Sequence, residues 1–420
     1  MEVFKFGGAS VNSAEAIKNV ALIVSKEPTT KILLVFSAMG KTTNALENLL
    51  EAYYSHLPHK DSDFKTVLSL HLEIVSKLFL NTSHPVYTDL KQLFSNLNLD
   101  LQNVAKLNKN CAYDQIVSYG ERLSTLIIGH YLQMCGIENK VVDARELLYT
   151  DTTYRDAKLD WVETKKRIQA KVLPLMEQCN IVISQGFIAG SQEHTTTLGR
   201  EGSDYSAAIF AYCLSADKMT IWKDVPGVLN ADPKFFSPTI KMDYISYTDA
   251  TELAYYGASI IHPKTIKPLQ NKGIPLHVRS FLHPEEEGSW IGLEGVEYTS
   301  IPSYIFKINQ MLISIYPKDF SFITEENLSF LFSCFVKYGV KVNVMQNSAL
   351  SFSVCVDTQK GEWQNLLTQL QEEYKVAYNE DLILITIRHY TQEVIDQVLG
   401  SKTILLEQRS RNTIQLVVSK

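Results

Sequence analysis

The chain has 420 residues, of which 45% are hydrophobic, 20% charged and 10% aromatic. This balance is typical of a globular protein with two or three domains, and it excludes an intrinsically disordered chain. The formal net charge of −6 and the lack of a long basic run argue against a nucleic-acid partner. Because no apolar stretch approaches the length of a membrane span and no signal-type leader opens the sequence, we expect a cytoplasmic protein without a membrane partner.

Short apolar segments alternate with amphipathic helical patterns through the first two thirds of the chain. Several segments are apolar at almost every position, as strands buried on both faces of a parallel sheet tend to be. The pattern predicts an α/β fold with a parallel sheet, and with helices such as 13 to 26 and 203 to 214 between the strands. The predicted strands are residues 2 to 6, 31 to 37, 140 to 143, 181 to 185, 219 to 222 and 276 to 279.

Residues 46 to 110 lack a strand pattern but keep helical spacing. Leu46, Leu49, Leu50 and Tyr53, for example, recur three and four positions apart. The sequence therefore predicts a helical insertion within the α/β region.

The stretch 283 to 295, HPEEEGSWIGLEG, is rich in proline, glutamate and glycine and predicts a boundary. Beyond it the order of predicted elements becomes strand, helix, two strands and helix, followed by a weaker second round. Two such rounds are typical of small α+β modules of ferredoxin-like topology. We predict one module at about 311 to 378 and another at 379 to 420, the latter completed by a strand near 304 to 309.

The segment FKFGGAS, residues 4 to 10, joins the first predicted strand to a helical pattern. Glycine lets backbone N–H groups approach an anion closely, and a helix N-terminus adds partial positive charge behind them. Lys5 would add a full charge. Neither G-x-x-x-x-G-K-[ST] nor G-x-G-x-x-G is present in this segment, so by itself it fits a tight turn better than a phosphate cradle.

Four later segments favour the phosphate cradle. SAMGKTTN begins at Ser37, TTTLGREGSDYSAA at Thr195 and WKDVPGVLNADPK at Trp222, each following a predicted strand, and SYGERLS opens a helix at Ser118. Open α/β sheets gather their ligands at the C-terminal ends of their strands. Ser203 is predicted to be the N-cap of the helix that begins after the second of these strands.

Taken in order, these segments resemble the aspartate kinases of the amino-acid-kinase superfamily. The matching motifs are KFGG with Ser10, SAMG-x-TTN, GERLS, TTTLGR-x-GSDYSA, DVPGV with ADP, and YGASIIHPKTI. The tandem small modules are similar to the family's regulatory ACT domains. The resemblance implies a three-layer αβα catalytic domain with a mainly parallel sheet at 1 to 295, and a regulatory region of two ACT modules at 300 to 420.

The resemblance implies transfer of the ATP γ-phosphoryl group to the side-chain carboxylate of L-aspartate, giving 4-phospho-L-aspartate, the first step of lysine, threonine and methionine biosynthesis. A carboxylate with a pKa of about 4 is already ionised at neutral pH, so no general base is required. Catalysis then depends on positioning and on positive charge around the transferring group, for which Lys5 and the amides of Gly7 and Gly8 are suited. Asp204 is expected to orient Lys5 or a phosphate-bound Mg²⁺, since Mg²⁺ is expected mainly on phosphate oxygens.

Aspartate carries one ammonium and two carboxylates, so its site is expected to combine an acid, a base and neutral donors. By motif, Glu121 would hold the ammonium and Arg200 a carboxylate, while Ser37, Thr43 and Ser203 would supply hydroxyl donors. Outside this motif set, Glu121 would be a solvated charge in a first helical turn and Arg200 a surface ion-pair partner. The ordered set favours the ligand roles.

Three positions of the nucleotide site differ from the usual family pattern. Ala9 stands where relatives usually have threonine, which removes a hydroxyl but leaves the backbone amides. Ser259 stands where many relatives have lysine, and Lys223, where others often carry threonine, is a candidate replacement for that charge. The residues predicted to contact the nucleotide are Lys5, Phe6, Gly7, Gly8, Ser10, Lys223, Asp224, Leu229, Lys234 and Ser259.

The C-terminal region differs more from lysine-inhibited relatives. Those relatives usually carry a Ser-Glu pair where Ser348 and Ala349 stand, so the carboxylate that would meet an effector's ammonium is absent from that strand. We still expect a small amino-acid effector, lysine or threonine, near Asn343 and Ser348. A homodimer is also expected, because ACT modules commonly pair.

The histidines and cysteines predict no metal site of protein ligands. The six cysteines lie far apart without a C-x-x-C pair and are expected to be reduced and mostly buried. His262, which precedes a proline, is expected to be a hydrogen-bonded structural residue. His56, His59 and His71 in the helical insertion are expected to face solvent.

Two alternatives remain open. The first is another amino-acid kinase, such as a glutamate or acetylglutamate kinase, although the paired motifs of Glu121 and Arg200 argue against it. The second is a catalytically inactive sensor of the same fold. Lys5, Asp204 and Arg200 are all present, which counts against loss of activity.

Overall fold

The structure is a computed structural model that describes residues 1–27, 29–192, 194–258, 261–292, 300–359 and 361–420. The chain divides into two units. The first comprises Met1–Val228, Asp243–Thr251 and Ile260–Glu297, and the second comprises Leu229–Met242, Glu252–Ser259 and Tyr298–Lys420. Within the described ranges, no helix is both long enough and apolar enough to cross a bilayer.

Strands and helices alternate in the first unit, and strands predominate in the second. The strands are β1 (Glu2–Phe6), β2 (Ile32–Phe36), β3 (Asn139–Val142), β4 (Ile181–Gln185), β5 (Ile188–Gly190), β6 (Thr195–Thr197), β7 (Lys218–Lys223), β8 (Val228–Leu229), β9 (Lys241–Met242), β10 (Tyr244–Ile245), β11 (Leu276–Ser280), β12 (Ser289–Ile291), β13 (Ser303–Pro317), β14 (Val342–Asn347), β15 (Phe352–Asp357), β16 (Tyr374–Arg388), β17 (Ile404–Arg409) and β18 (Thr413–Val418). The α-helices are α1 (Ala14–Ser25), α2 (Thr42–Tyr54), α3 (Lys60–Leu78), α4 (Pro85–Asn103), α5 (Lys109–Val117), α6 (Tyr119–Met134), α7 (Ala144–Leu147), α8 (Trp161–Gln178), α9 (Gly202–Leu214), α10 (Tyr247–Tyr256), α11 (Pro263–Lys272), α12 (Glu325–Lys337), α13 (Trp363–Glu373) and α14 (Gln392–Leu399).

An eight-stranded sheet forms the centre of the first unit, in the order β10-β12-β11-β7-β1-β2-β4-β3. Neighbouring strands run parallel except for β11 and β12. Every residue of β2 and β4 is buried, which explains why these strands read as continuous apolar runs. The predicted α/β fold with a mainly parallel sheet is confirmed. Because β1, β2 and β7 are parallel neighbours, the motifs that follow them meet at one edge of the sheet.

The predicted helical insertion, residues 46 to 110, corresponds to α2 through α4. Its apolar residues pack in the same core as β1, β2 and α1. The expectation that His71 faces solvent is wrong, because its side chain is fully buried. Its Nδ1 atom lies 2.8 Å from the carbonyl oxygen of Val67, and its ring packs against Phe94 with centroids 5.8 Å apart. His71 and Val75 lie on the face of α3 that packs toward the core.

A six-stranded antiparallel sheet forms the centre of the second unit, in the order β14-β15-β13-β16-β18-β17. Strands β13 and β16 each have 15 residues and run through the region that the sequence divides into two modules. One apolar core lies under α12 and α13, and another contains residues of α14 and β18. The proposed module boundary near residue 379 therefore falls inside a continuous strand, and the predicted domain bounds stay predictions.

Candidate active site

Two lysines and one aspartate meet where β1 and β7 end and α9 begins. Nζ of Lys5 lies 2.6 Å from Oδ1 of Asp204, and Nζ of Lys223 lies 3.9 Å from Oδ2 of the same carboxylate. Lys5 is only 7% exposed and Asp204 only 4%. Burial acts to raise the pKa of Asp204, but the charges of Lys5 and Lys223 outweigh it and hold that pKa below its ordinary value. Asp204 is therefore ionised at neutral pH, and the cluster keeps an excess of positive charge.

Helix α9 begins at Gly202, so the prediction that Ser203 is its N-cap is wrong. The residue that precedes the helix is Glu201, which has a left-handed backbone conformation with φ of 53°. Ser203 lies inside the first turn, where its Cβ would be 2.6 Å from a Cβ built at Gly186. The turn after β4 therefore has room for Ser203 only because residue 186 is glycine.

The turn after β1 packs tightly against the turn after β2. A Cβ at Gly8 would lie 2.9 Å from the carbonyl oxygen of Ala38, and the N–H of Gly40 donates to the carbonyl of Gly8 at 3.0 Å. The hydroxyl of Ser10 donates to the carbonyl of Trp222 in β7 at 3.2 Å, so this predicted nucleotide contact anchors the turn in the fold. Only glycine at position 8 permits this close approach of the two backbones.

Glu121 lies in the first turn of α6 and is only 3% exposed. Its Oε1 accepts a hydrogen bond from the N–H of Ala38 at 3.2 Å, while its buried Oε2 has no hydrogen-bond partner in the part of the chain that the structure describes. Burial raises the pKa of Glu121 to about 8. The reading of Glu121 as a solvated charge is therefore wrong, and its unpartnered oxygen is suited to a cationic ligand.

The other predicted substrate residues are more accessible. Ser37 is half-buried and its N–H donates to the carbonyl of Phe6 at 3.1 Å, while Thr43 is half-buried in the first turn of α2. Arg200 is exposed and lies close enough to His262 that its charge adds to the effect of burial in lowering the pKa of that imidazole. Lys5, Lys223 and Asp204 therefore lie together, whereas Arg200 faces solvent.

His262 is a structural residue, as predicted. It precedes α11, and its Nδ1 accepts a hydrogen bond from the N–H of Lys264 at 3.2 Å. Among the described residues, no group of three or more histidine, cysteine, aspartate or glutamate side chains is arranged to hold a metal ion.

The remaining predicted nucleotide contacts lie in different surroundings. Phe6 is fully buried and stacks on Trp222 with ring centroids 6.0 Å apart, so its side chain belongs to the core. Asp224 is exposed just after β7. Leu229 and Lys234 belong to the second unit. Ser259 lies outside the described residues, and these nucleotide contacts stay predictions.

The predicted effector residues lie on or beside β14 in the second unit. Oδ1 of Asn343 accepts a hydrogen bond from Nζ of Lys307 at 3.0 Å, and its Nδ2 donates to Oε1 of Gln310 at 2.8 Å. The hydroxyl of Ser348 lies 2.8 Å from that of Ser351 across the turn between β14 and β15. Both side chains thus support the sheet, and their effector role stays a prediction.

Residues 1–280 match the model of the Amino acid kinase family. The chain belongs to this family. Among curated relatives, the lysine-sensitive aspartokinase 3 of Escherichia coli (strain K12) is 28% identical over 397 residues, which cover 92% of this chain and 86% of that protein. The resemblance drawn from the sequence motifs is confirmed at the level of the family.

Two solved structures of one relative match this chain along its whole length. E. coli aspartokinase III in complex with lysine and aspartate superposes with a TM-score of 0.83 at 26% identity, covering 100% of this chain and 96% of that one. The same enzyme in complex with aspartate and ADP gives a TM-score of 0.82 at 26% identity, with the same coverage of both chains. The kinase fold and the C-terminal ACT-like region are therefore both present in this chain.

Sequence reasoning missed one buried acid of this kinase, Asp114 in α5. Its side chain is fully buried and accepts hydrogen bonds from Arg155 and Thr197. The available signal was an aspartate within the otherwise largely apolar segment CAYDQIV, on a helix that leads directly to Glu121.

Proposed function

We propose that this amino acid kinase is an aspartate kinase, which transfers the γ-phosphoryl group of ATP to the side-chain carboxylate of L-aspartate. The products are 4-phospho-L-aspartate and ADP. The observation that carries the proposal is the position of Ala38, whose N–H is bonded to Glu121 while its carbonyl packs on Gly8. A site suited to an ammonium group therefore adjoins the turn that follows Lys5. The E. coli relative in complex with aspartate and ADP supports the same pair of ligands.

The chemistry of the transfer requires little proton movement from the protein. The acceptor carboxylate of aspartate has a pKa of about 4 and is ionised at neutral pH, so it attacks without a general base. Two anions must instead be brought together, which requires positive charge at the transferring group. Lys5 supplies that charge, and the ionised Asp204 holds its ammonium group in place. Asp204 is thus a residue that orients Lys5 and not a base.

The acceptor is oriented by the groups around Glu121. In the free site the pKa of Glu121 is raised to about 8, so the carboxyl is largely protonated at pH 7. The ammonium group of aspartate favours the ionised form, because an opposite charge in a buried site lowers a carboxyl pKa. Arg200 is proposed to bind a carboxylate of aspartate, with Ser37, Thr43 and Ser203 as hydroxyl donors.

ATP is proposed to bind along the turn from Lys5 to Ser10, with Lys223, Asp224, Leu229, Lys234 and Ser259 as further contacts. The donor set at the sheet edge suits phosphate, because the ammonium groups of Lys5 and Lys223 converge there on Asp204. Mg²⁺ fits this site through the phosphate oxygens of the nucleotide, since Asp204 is already paired with Lys5. When bound, Mg²⁺ would neutralise phosphate charge.

The reaction can be tested by ADP release and by trapping the acyl phosphate with hydroxylamine. Wild type should form hydroxamate with L-aspartate but not with L-glutamate, with N-acetylglutamate or without an acceptor. Lys5→Ala should lower kcat by at least about 100-fold, because it removes the charge that stabilises the transferring group. Lys140→Ala, which changes an exposed lysine of β3, is the matched control. A folded wild type that forms no hydroxamate with any acceptor would support the inactive sensor instead.

We further propose that the second unit binds an amino-acid effector, lysine or threonine, near Asn343 and Ser348. The E. coli relative named lysine-sensitive, with its structure in complex with lysine, supports this regulation. Calorimetric titration with each amino acid should give heat with one of them, and no heat with either would contradict the proposal. A homodimer in the cytoplasm is also proposed, and light scattering would measure the assembly.

A further inference from the structure

Asp114 connects three segments of the first unit through a single carboxylate. The N–H of Arg155 donates to Oδ1 at 3.1 Å and to Oδ2 at 3.0 Å. The hydroxyl of Thr197 donates to Oδ1 at 2.8 Å, and the N–H of Thr197 donates to Oδ2 at 2.9 Å. Burial raises the pKa of Asp114, and these donors oppose that effect. A buried carboxylate whose donors all come from other segments holds those segments in place, because leaving it unpartnered is costly.

Thr197 is the last residue of β6 and lies three positions before Arg200. Beyond Thr197, the chain is held by the N–H of Leu198, which donates to the carbonyl of Phe187 at 2.9 Å. The carbonyl of Thr197 itself accepts from the N–H of Ala157 at 2.9 Å. The hydrogen bonds that Asp114 accepts therefore fix the position of Thr197. The short segment that contains Arg200 and leads into α9 begins there.

Arg155 belongs to a loop that packs directly against that same segment. It has a left-handed backbone conformation with φ of 69°, which is uncommon for a residue with a side chain. A Cβ built at Gly199 would lie 3.1 Å from the carbonyl oxygen of Arg155 and 2.5 Å from Oδ1 of Asp156. By fixing the N–H of Arg155, Asp114 thus holds the loop that supports the residue before Arg200.

The third segment is the pair of helices that carries Asp114 itself. The carbonyl of Asp114 accepts from the N–H of Ser118 at 3.3 Å, and Ser118 joins α5 to α6, whose first turn contains Glu121. Glu121 and Arg200 are the two charged residues proposed to hold opposite ends of aspartate. Asp114 therefore connects the element of one to the segment of the other.

We infer that Asp114 is a positioning residue that keeps the Thr197–Arg200 segment in register with Glu121, so that both ends of the acceptor are bound at once. The inference rests on the proposed function. Among the described residues, its side-chain hydrogen bonds go only to Arg155 and Thr197, and none goes to Lys5 or Asp204. Loss of Asp114 should accordingly weaken aspartate binding and spare nucleotide binding.

Asp114→Asn tests this directly, because each oxygen accepts two hydrogen bonds and an amide NH₂ can accept none. We expect the KM for aspartate to rise about tenfold or more, with kcat and the KM for ATP within about threefold. Thr197→Val removes only the hydroxyl donor and should raise the KM for aspartate by about threefold, while Thr197→Ser should restore it.

Ile116→Ala is the control for a general loss of stability, because it removes most of a fully buried side chain from the same helix. This variant should lower the unfolding midpoint while leaving the KM for aspartate within about twofold of wild type. If Asp114→Asn raises both KM values equally, or raises neither beyond the effect of Ile116→Ala, the positioning role is refuted.

Hydrogen–deuterium exchange separates this inference from the proposed reaction. In Asp114→Asn, the peptides covering residues 151 to 158 and 195 to 201 should exchange faster than in wild type, and in Ile116→Ala they should not. Unchanged exchange in those peptides would overturn the positioning role even in an active enzyme. If wild type forms no acyl phosphate from aspartate, the proposed function fails, and the exchange result still decides whether Asp114 positions the segment.

Discussion

The two sheets of the molecule bury polar groups in different ways. At the edge of the eight-stranded sheet, Glu121 has a buried oxygen without a partner among the described residues, and two lysines approach Asp204. In the six-stranded sheet, the buried Gln310 bonds to Asn343, and the carboxylate of Glu252 lies 3.5 Å from the buried Arg388.

The edge of the eight-stranded sheet is therefore suited to charged ligands, whereas the polar groups of the six-stranded sheet bond to one another. A buried carboxyl without a full set of partners costs stability, so a fold retains it where a ligand supplies what is missing. The first sheet should therefore respond to mutation mainly in substrate binding. The second sheet should respond mainly in stability.

The largest effect on the binding of aspartate is expected from Glu121→Gln. The variant keeps the shape of the side chain but removes the charge that would meet the ammonium group of aspartate. We expect the KM for aspartate to rise by about 10-fold to 150-fold, the range for a lost hydrogen bond to a charged group, with the KM for ATP little changed. Steady-state kinetics would measure both, with the exposed Glu138→Gln as control. An unchanged KM for aspartate would remove Glu121 from the acceptor site.

The raised pKa of Glu121 also predicts a pH dependence. Its pKa lies at about 8 in the folded chain and near 4.5 ordinarily, so between these values the folded state holds a proton that the unfolded state has lost. The contribution of Glu121 to the free energy of unfolding should therefore fall as pH rises from about 5 to about 8. Urea unfolding should show Glu121→Gln gaining stability relative to wild type over this range. A constant difference between the two proteins would contradict the raised pKa.

A smaller effect is expected from Lys223→Thr. Lys223 lies beside Asp204, adds positive charge to the cluster and is proposed to contact the nucleotide. The KM for ATP should rise about fivefold, while the KM for aspartate stays within about twofold, because the proposed acceptor site does not include this lysine. Lys218→Thr changes the opposite end of the same strand and serves as the control. Equal small effects on both substrates would refute a nucleotide role for Lys223.

The smallest effect on activity is expected from Gln310→Leu in the second sheet. The substitution removes the acceptor of the Asn343 side-chain amide and leaves a half-buried donor unpaired. The free energy of unfolding should fall by about 1–3 kcal/mol, with kcat within about twofold. Chemical denaturation and steady-state kinetics would measure these two quantities. A large loss of kcat without a loss of stability would contradict the expectation that the second sheet responds mainly in stability.

The sequence predicted the parts of the fold and the site that depend on short, ordered patterns. Lys5, Glu121 and Asp204 could be predicted as candidate site residues because each lies in a motif at a strand end or a helix start. The prediction for His71 was wrong and the burial of Asp114 was missed. Burial of a single polar side chain depends on which helix face packs inward, and distant residues decide that.

The N-cap of α9 shows a second limit. Ser203 has the side chain of a typical cap, but Glu201 adopts the left-handed conformation before the helix, and Ser203 packs on Gly186. Gly186 lies in the turn between β4 and β5, distant from Ser203 along the chain, so local sequence alone cannot reveal this contact.

The proposed reaction transfers the phosphoryl group to the side-chain carboxylate of aspartate. The most direct measurement is reduction of the fresh reaction product with borohydride, which converts an acyl phosphate to the corresponding alcohol. The product should be homoserine, formed only in the presence of ATP and aspartate and absent with Lys5→Ala. The isomer reduced at the α-carboxylate, or no alcohol at all from a folded wild type, would contradict it.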